Sequence, residues 1–369
     1  MDSDIRVLKG CAIVYRVFDV GNEIDLAAAE RLSPSDGFLS GRLRLVSDTR
    51  KSIVIRNAPL QLNLAPEEIP LAGAAYKAEV SAKIWHYGVI SIAFTLAMPE
   101  GISWRELVNL SAALEVNEEI EKAAARVRDR VAAHLAPVII QPSNWDTAED
   151  YVTWLVEKYE GASSPGEFLL KADVPALILA EHEHPLSESS RDVVTQNALQ
   201  YSKNDMAVID WNSALLIEPA GSRETADVIE FCLTHLLEMR YYDALIEEKL
   251  DLLYDNIEKR KGGILSNFYA NLGQDSGRRY IEFSEFLGRV ENSLKTVGDF
   301  YLATVFRAAM REFRFADWRQ TIDRKMDTLA RISQLLDEEI NTRRGQVMEA
   351  IVILLIALEI IPLAHEFWK

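Results

Sequence analysis

The chain has 369 residues, 49% hydrophobic and 26% charged, with a formal net charge of −17. That length suits two or three domains, and the acidic balance argues against a whole-surface footprint for nucleic acid, so direct nucleic-acid binding is not expected. Cys11 and Cys232 are the only cysteines and lie far apart, which suggests neither a disulfide framework nor a thiolate metal site; no metal or cofactor is expected.

Cys11–Phe18 reads as a strand of aromatic and β-branched residues. Asn22 is placed to cap a helix over Glu23–Leu32. Ser33 to Gly41 is a loop rich in Ser, Pro and Gly, and Leu43–Val46 and Ser52–Arg56 alternate like strands. Ala78–Trp85 and Val89–Leu96 form a hairpin through the tight His86-Tyr87-Gly88 turn. Ser103 then caps a helix, with Glu106 three residues on as a capping box.

A weaker copy of this order follows. Pro137–Gln141 reads as a short strand, Ala148–Tyr159 as a helix and Ala176–Ala180 as an apolar run. Leu199–Asp210 and Ala214–Glu218 make a second hairpin turning at Trp211-Asn212. Trp85–Glu106 and Ile209–Glu224 share one pattern: aromatic, tight turn, apolar strand, Pro-x-Gly, polar cap, Glu. Pro-x-Gly is also common turn chemistry. The expected fold is α+β, with two ferredoxin-like halves that pack their sheets together or extend one sheet.

From Glu224 the pattern turns helical. Ile229, Cys232, Leu236, Met239, Asp243, Ile246, Leu250, Leu253 and Ile257 recur at spacings of 3 and 4, a coiled-coil seam with one polar member. Gly262-Gly263 and the SNFYANLGQDSG stretch break it. A second helical stretch covers about Tyr280–Phe315. A third starts near Trp318 and runs on without a strong break, Gly345 being its weak point.

Ala350–Leu363 is apolar except for Glu359. It follows Arg343-Arg344, and the sequence closes on Trp368-Lys369. Gln346 to Trp368 gives roughly 23 helical residues, or about 34 Å at ~1.5 Å per residue, enough to cross a hydrocarbon core if Glu359 is tolerated. The basic and aromatic flanks suit the two interfaces of a membrane. A buried or interfacial helix is the alternative, which Pro362 and Glu359 would suit. MDSDIRVLKG lacks the basic start and apolar run of a signal peptide, so with one anchor the bulk is expected on the cytoplasmic side of the membrane.

Few residues point to chemistry. His182 and His184 share a face if Glu181–His184 is a strand, but no third ligand is in view and Pro185 suggests a polar loop. Asp210 and Asn212 offer a carboxylate and an amide on a turn, where such residues serve more often to tolerate turn backbone. The segment Arg240-Tyr241-Tyr242-Asp243 sets Arg240 near Asp243, the polar member of the helical seam, and offers a buried ion pair or a functional pocket. A buried Asp243 demands a partner, with Arg307, Arg311 and Arg314 as the expected basic supply. Glu359 would face a partner helix or sit near an interface. No phosphate-binding Gly-x-x-x-x-Gly-Lys, Gly-x-Gly-x-x-Gly, Gly-x-Ser-x-Gly or His-Glu-x-x-His motif occurs.

Ile209–Asp243, IDWNSALLIEPAGSRETADVIEFCLTHLLEMRYYD, resembles the core signature of the required-for-meiotic-nuclear-division proteins, also called YagE-like. Ile84–Gly101 resembles that family's strand ending in Tyr-Gly-Val. Thr342–Ile360 resembles its closing segment, with Glu349 and Glu359 at matching positions and Ala350 where the family usually has Trp. The resemblance implies a membrane-anchored, self-associating protein. In mitochondrial members it implies support of translation by anchoring ribosomes, a role that transfers poorly to a chain with no basic transit peptide.

The expected organisation is a first α/β unit over 1–116 and a second over 117–221. A helical bundle or stalk over 222–345 and a membrane anchor over 346–369 follow. The expected function is a non-enzymatic, tail-anchored scaffold or adaptor forming a homo-oligomer with a protein partner the sequence does not name. A ligand-sensing or enzymatic α/β head and a channel-like oligomer are the alternatives.

Overall fold

The computed structural model describes residues 5–32, 39–42, 58–143, 145–258, 278, 281, 283–288 and 300–367. The side chains of 39–42, 253, 255–258, 333, 335–341, 343, 344, 347 and 357–367 are outside that description. So are the strands expected at Leu43–Val46 and Ser52–Arg56 and the glycine-rich break after Glu258.

The chain forms two compact units. One comprises residues 1–241 with 290–316, the other 242–289 with 317–369. The division thus falls inside a helix rather than at residue 221. The expected first and second α/β units share one sheet.

That sheet is built around two long central strands. β1 (Arg6–Asp19) pairs antiparallel with β9 (Ala148–Glu160) on one side and β6 (Val89–Ala97) on the other. Beyond β6 lie β5 (Ala74–Ile84), β4 (Leu60–Leu71) and β3 (Leu39–Arg42), all antiparallel. Beyond β9 lie β12 (Ser213–Ile217), β11 (Met206–Ile209) and β10 (Ala198–Leu199). The β7 bridge (Ile102–Ser103) pairs with the start of β1.

The two halves share a strand order outward from the centre but differ in direction. β1 and β6 are antiparallel, whereas β9 and β12 are parallel. The parallel β9–β12 neighbours of the second half depart from a ferredoxin-like unit, whose sheet is antiparallel throughout. The first half is antiparallel throughout, so the two halves share their order of strands but not all of their directions.

The helix expected over Ala148–Tyr159 is strand β9. Flanked by β1 and β12, it is buried on both faces from Thr153 to Val156, which erases the two-residue alternation a half-buried strand would show. The helix expected over Glu23–Leu32 shrinks to one turn, α1 (Leu26–Ala29), capped by Asp25. The residues before it form β2 (Gly21–Ile24), which pairs with β8 (Ile139–Pro142). Their backbone is claimed by the β5–β6 turn: Val20 N–H donates to Gly88 O at 2.9 Å and Ile24 N–H to His86 O at 2.8 Å. Gly88 has φ +85°, and a Cβ there would meet Gly21 O at 1.5 Å, so only glycine permits this approach.

The expected hairpin at 86–88 and the capping box are present. Ser103 Oγ accepts from Glu106 N–H at 3.3 Å, and Glu106 Oε2 accepts from Ser103 N–H at 2.9 Å, opening α2 (Trp104–Glu115). α2, α3 (Glu118–Leu135), α4 (Pro165–Lys171) and α5 (Val174–Ile178) cover one face of the sheet. Leu107, Val127, Phe168 and Leu177 there join Val14, Val80, Phe94, Trp154 and Leu215 in one apolar core. α6 (Glu188–Thr195) adds Val194 to it.

The first half of α7 (Glu224–Glu258) lies with the opposite face of the sheet, as Lys83 and Tyr87 contacts show. Every residue from Val228 to Met239 is buried, on all sides of the helix. The expected narrow coiled-coil seam is there a fully enclosed core helix, whose outer side includes Cys232 against α8 (Phe300–Glu312). In the second unit the helix is one-sided: Tyr242, Ile246 and Leu250 are buried, and Tyr242 rings meet Phe283 and Phe286 at 5.2 and 5.8 Å. α9 (Phe315–Phe367) runs unbroken through Gly345 and buries Ile322, Met326 and Leu329.

Among the described residues no helix is long and apolar enough to cross a membrane, so a spanning anchor is not supported there. The α9 backbone continues past Glu359, but that side chain, like those of Arg343 and Arg344, lies outside the described residues.

Candidate functional site

Strand pairing sets a row of side chains beneath α7. Lys83 on β5 pairs with Ser91 on β6, Ser91 with Val17 on β1, and Val17 with Glu149 on β9. Odd-numbered β1 residues face this side, because Arg16 and Phe18 point to Glu121 and Arg128 of α3. Asp227, Glu230, Thr234 and Glu238 follow one another on α7 at helical spacings of 3, 4 and 4, so they share the face turned to the row.

The contacts are short, and those of Glu230, Thr234 and His235 are buried. Lys83 Nζ donates to Asp227 Oδ1 and to Glu230 Oε2, each at 2.6 Å. Tyr87 and Thr234 share a hydroxyl bond of 2.6 Å, and His235 Nδ1 lies 2.7 Å from Phe231 O. At the far end Arg240 Nη1 donates to Glu149 Oε1 at 2.6 Å. Burial by itself would lower the Lys83 ammonium, but Glu230 and Asp227 outweigh it and hold the group above lysine's ordinary value. Burial raises the Glu230 carboxyl against the pull of Lys83. It pushes Glu149 up to about 7 against Arg240, and Asp19 up to about 6 against a Ser143 hydrogen bond.

The sequence candidates fall in separate places. Asp210 is buried at the end of β11, its carbonyl accepting from Tyr151 Oη at 2.9 Å and its carboxyl raised by burial. Asn212 Nδ2 donates to both Glu115 carboxylate oxygens at 3.2 Å. Arg240 joins Glu149, two residues before Tyr151 on the same face of β9, so Asp210 and Arg240 are held by neighbouring positions of one strand. Asp243 belongs to the second unit, where it pairs with Lys325 of α9 at 2.8 Å; Lys325 also contacts Glu247. Its cation is therefore this lysine and not Arg307, Arg311 or Arg314, which are placed in the first unit. His182 and His184 lie in an exposed loop organised by Glu181, which accepts from the Glu183 and His184 backbone at 2.9 and 3.0 Å.

Lys83, Glu149 and Glu230 escaped notice in the sequence. Two signals were available: a lysine on the inward side of the alternating AEVSAKIW strand, and a glutamate inside the apolar IEFCLTHLLEM stretch.

Two thiols and two phenols of the unit are held in their neutral forms. Burial raises the Cys11 and Cys232 thiols and, strongly, the Tyr15 and Tyr151 phenols. Among the described residues no three His, Cys, Asp or Glu side chains are grouped to hold a metal. A shallow open depression at the β4–β5 turn, lined by Pro70 to Ala75 and Asn117, offers no titratable group.

The sheet and its helices coincide with a known sequence family. Residues 9–223 match the model described as uncharacterized protein MJ0711, N-terminal domain. The chain belongs to this family. It is 22% identical over 216 residues to the uncharacterized protein MJ0711 of Methanocaldococcus jannaschii, covering 58% of this chain and 65% of that relative. The aligned part thus spans less than two thirds of the relative's length. No solved structure matches the chain.

Proposed function

We propose that the protein is a non-enzymatic scaffold or adaptor that attaches to a membrane through residues 346–369 and associates with copies of itself. The observation that carries the attachment is on α9. Met348 and Ile351 to Ile356 are each 48–64% exposed. Successive helix positions are about 100° apart, so six in a row go fully around the axis. One protein partner covers a stripe of a helix, whereas lipid covers its whole circumference. The sequence stays apolar to Leu363 apart from Glu359, and the helix persists to Phe367.

Self-association has different support. The seam residues Tyr242, Ile246 and Leu250 are already buried within one chain, so they do not call for a second copy. The resemblance of Ile209–Asp243 to the meiotic-nuclear-division proteins supports it instead.

Carbonate extraction of membranes from expressing cells tests the attachment. The full chain should stay with the membrane and a chain lacking residues 346–369 should be released. Equal release of both would overturn it. A monomer mass for the full chain in mild detergent would overturn self-association alone.

A further inference from the structure

α7 is fastened at two adjacent residues, Arg240 and Tyr241, just where it passes out of the first unit. Both fasteners come from one short stretch of chain. Arg240 holds Glu149, and the Tyr241 ring meets Trp145 edge-on with centroids 5.5 Å apart. Glu149 is 5% exposed, while the side chain of Arg240 is 38% exposed. The carboxyl is dry and its cation is partly in water.

We propose that the Glu149–Arg240 contact is a proton-dependent latch, closed over the neutral carboxyl and loosened when Glu149 ionises. An ionised Glu149 has to stay desolvated for the turn of α7 at 238–241 to remain on the sheet, and a cation partly screened by water offsets only part of that cost. When the turn lifts, Glu149 regains water and titrates as an ordinary carboxyl.

The surrounding charges leave this balance in place. Arg240 approaches from α7, and Asp150 on the same strand raises Glu149 further. Val17 on β1 lies directly opposite, with Asp19 two residues along that strand; Ser91 and Lys83 on β6 and β5 complete the row. Lys83 is committed to Asp227 and Glu230, and Glu238 is the remaining buried acid on α7. The closed form holds a proton up to about pH 7 and the open form only to the ordinary 4.5. Closure is therefore strongest below about 4.5 and weakens as pH rises through 7.

Hydrogen exchange of the full chain from pH 5.5 to 8.5, corrected for intrinsic rates, reads this opening in peptides covering 145–152 and 236–242. In the parent chain the local opening constant should rise roughly 30-fold across that range. In Glu149→Gln, a neutral isostere that still accepts from Arg240, it should be flat. Asp19→Asn should keep the rise, which separates the latch from the second raised carboxyl. Arg240→Met should move the midpoint upward, because the cation that opposes the effect of burial is gone. A flat parent profile, a rise that survives Glu149→Gln, one abolished by Asp19→Asn, or an unmoved midpoint in Arg240→Met would each overturn the latch.

Discussion

The two faces of the central sheet are held by different forces. Under α2 and α3 the inward side chains are apolar, and the buried Arg16 is satisfied at the rim by the half-exposed Glu121. Under α7 the sheet presents Lys83, Ser91 and Glu149 in one cross-strand row, answered by Asp227, Glu230 and Arg240. An apolar face rewards burial at almost any register, since the hydrophobic effect has no direction. Charge pairs on dry strands reward one register and penalise the rest, because a slipped helix would leave ions unpaired. The first face supplies bulk stability, and the second fixes where α7 sits.

The largest test of that contrast is Lys83→Met. It leaves Glu230 and Asp227 without their cation and should cost about 3–5 kcal/mol in urea unfolding. Adding Glu230→Leu should restore a good part of it. A double variant no better than the single would mean the row is not a coupled unit. On the other face Leu107→Ala, at a fully buried site, should cost about 2–5 kcal/mol, by the same amount at pH 5 and pH 8. A strong pH dependence there would blur the distinction between the faces.

Asp19 gives a smaller effect with a defined sign. Its folded pKa of about 6 lies above the ordinary 3.8. Its contribution is therefore fully present below about pH 4 and lost as pH rises through 6, by about 2–3 kcal/mol. Asp19→Asn should remove that part of the decline, read as the difference between variant and parent in urea melts at pH 4, 5, 6 and 7. An unchanged slope would place the titration elsewhere. Smallest, Ser103→Ala removes the α2 cap and should cost about 1 kcal/mol at any pH in this range, measured the same way. A cost well above this would give the cap a wider role.

What could be read in advance followed from local chemistry. The 86–88 hairpin, the Ser103–Glu106 box and the unbroken α9 are each set by residues within a few positions of one another. β9 was misread because its partners on both sides are remote, and burial on both faces removes the alternation that marks a strand. α7 was half legible: Ile246 and Leu250 keep a one-sided pattern, while Glu230 and Thr234 interrupt the apolar run for a reason that lies in Lys83 and Tyr87, about 147 residues earlier. Asp243 was rightly expected to be paired, but choosing Lys325 required knowing which helix lies beside it.

The backbone contact between Gly21 and Gly88 reaches beyond this one chain. At 22% identity most strand positions of a relative can change, since one apolar residue substitutes for another of similar volume. A corner where a methyl group would sit 1.5 Å from a carbonyl oxygen permits no such exchange. A glycine in the β5–β6 turn, at the position of Gly88, should thus serve as a fingerprint for aligning remote members whose strands have drifted past recognition.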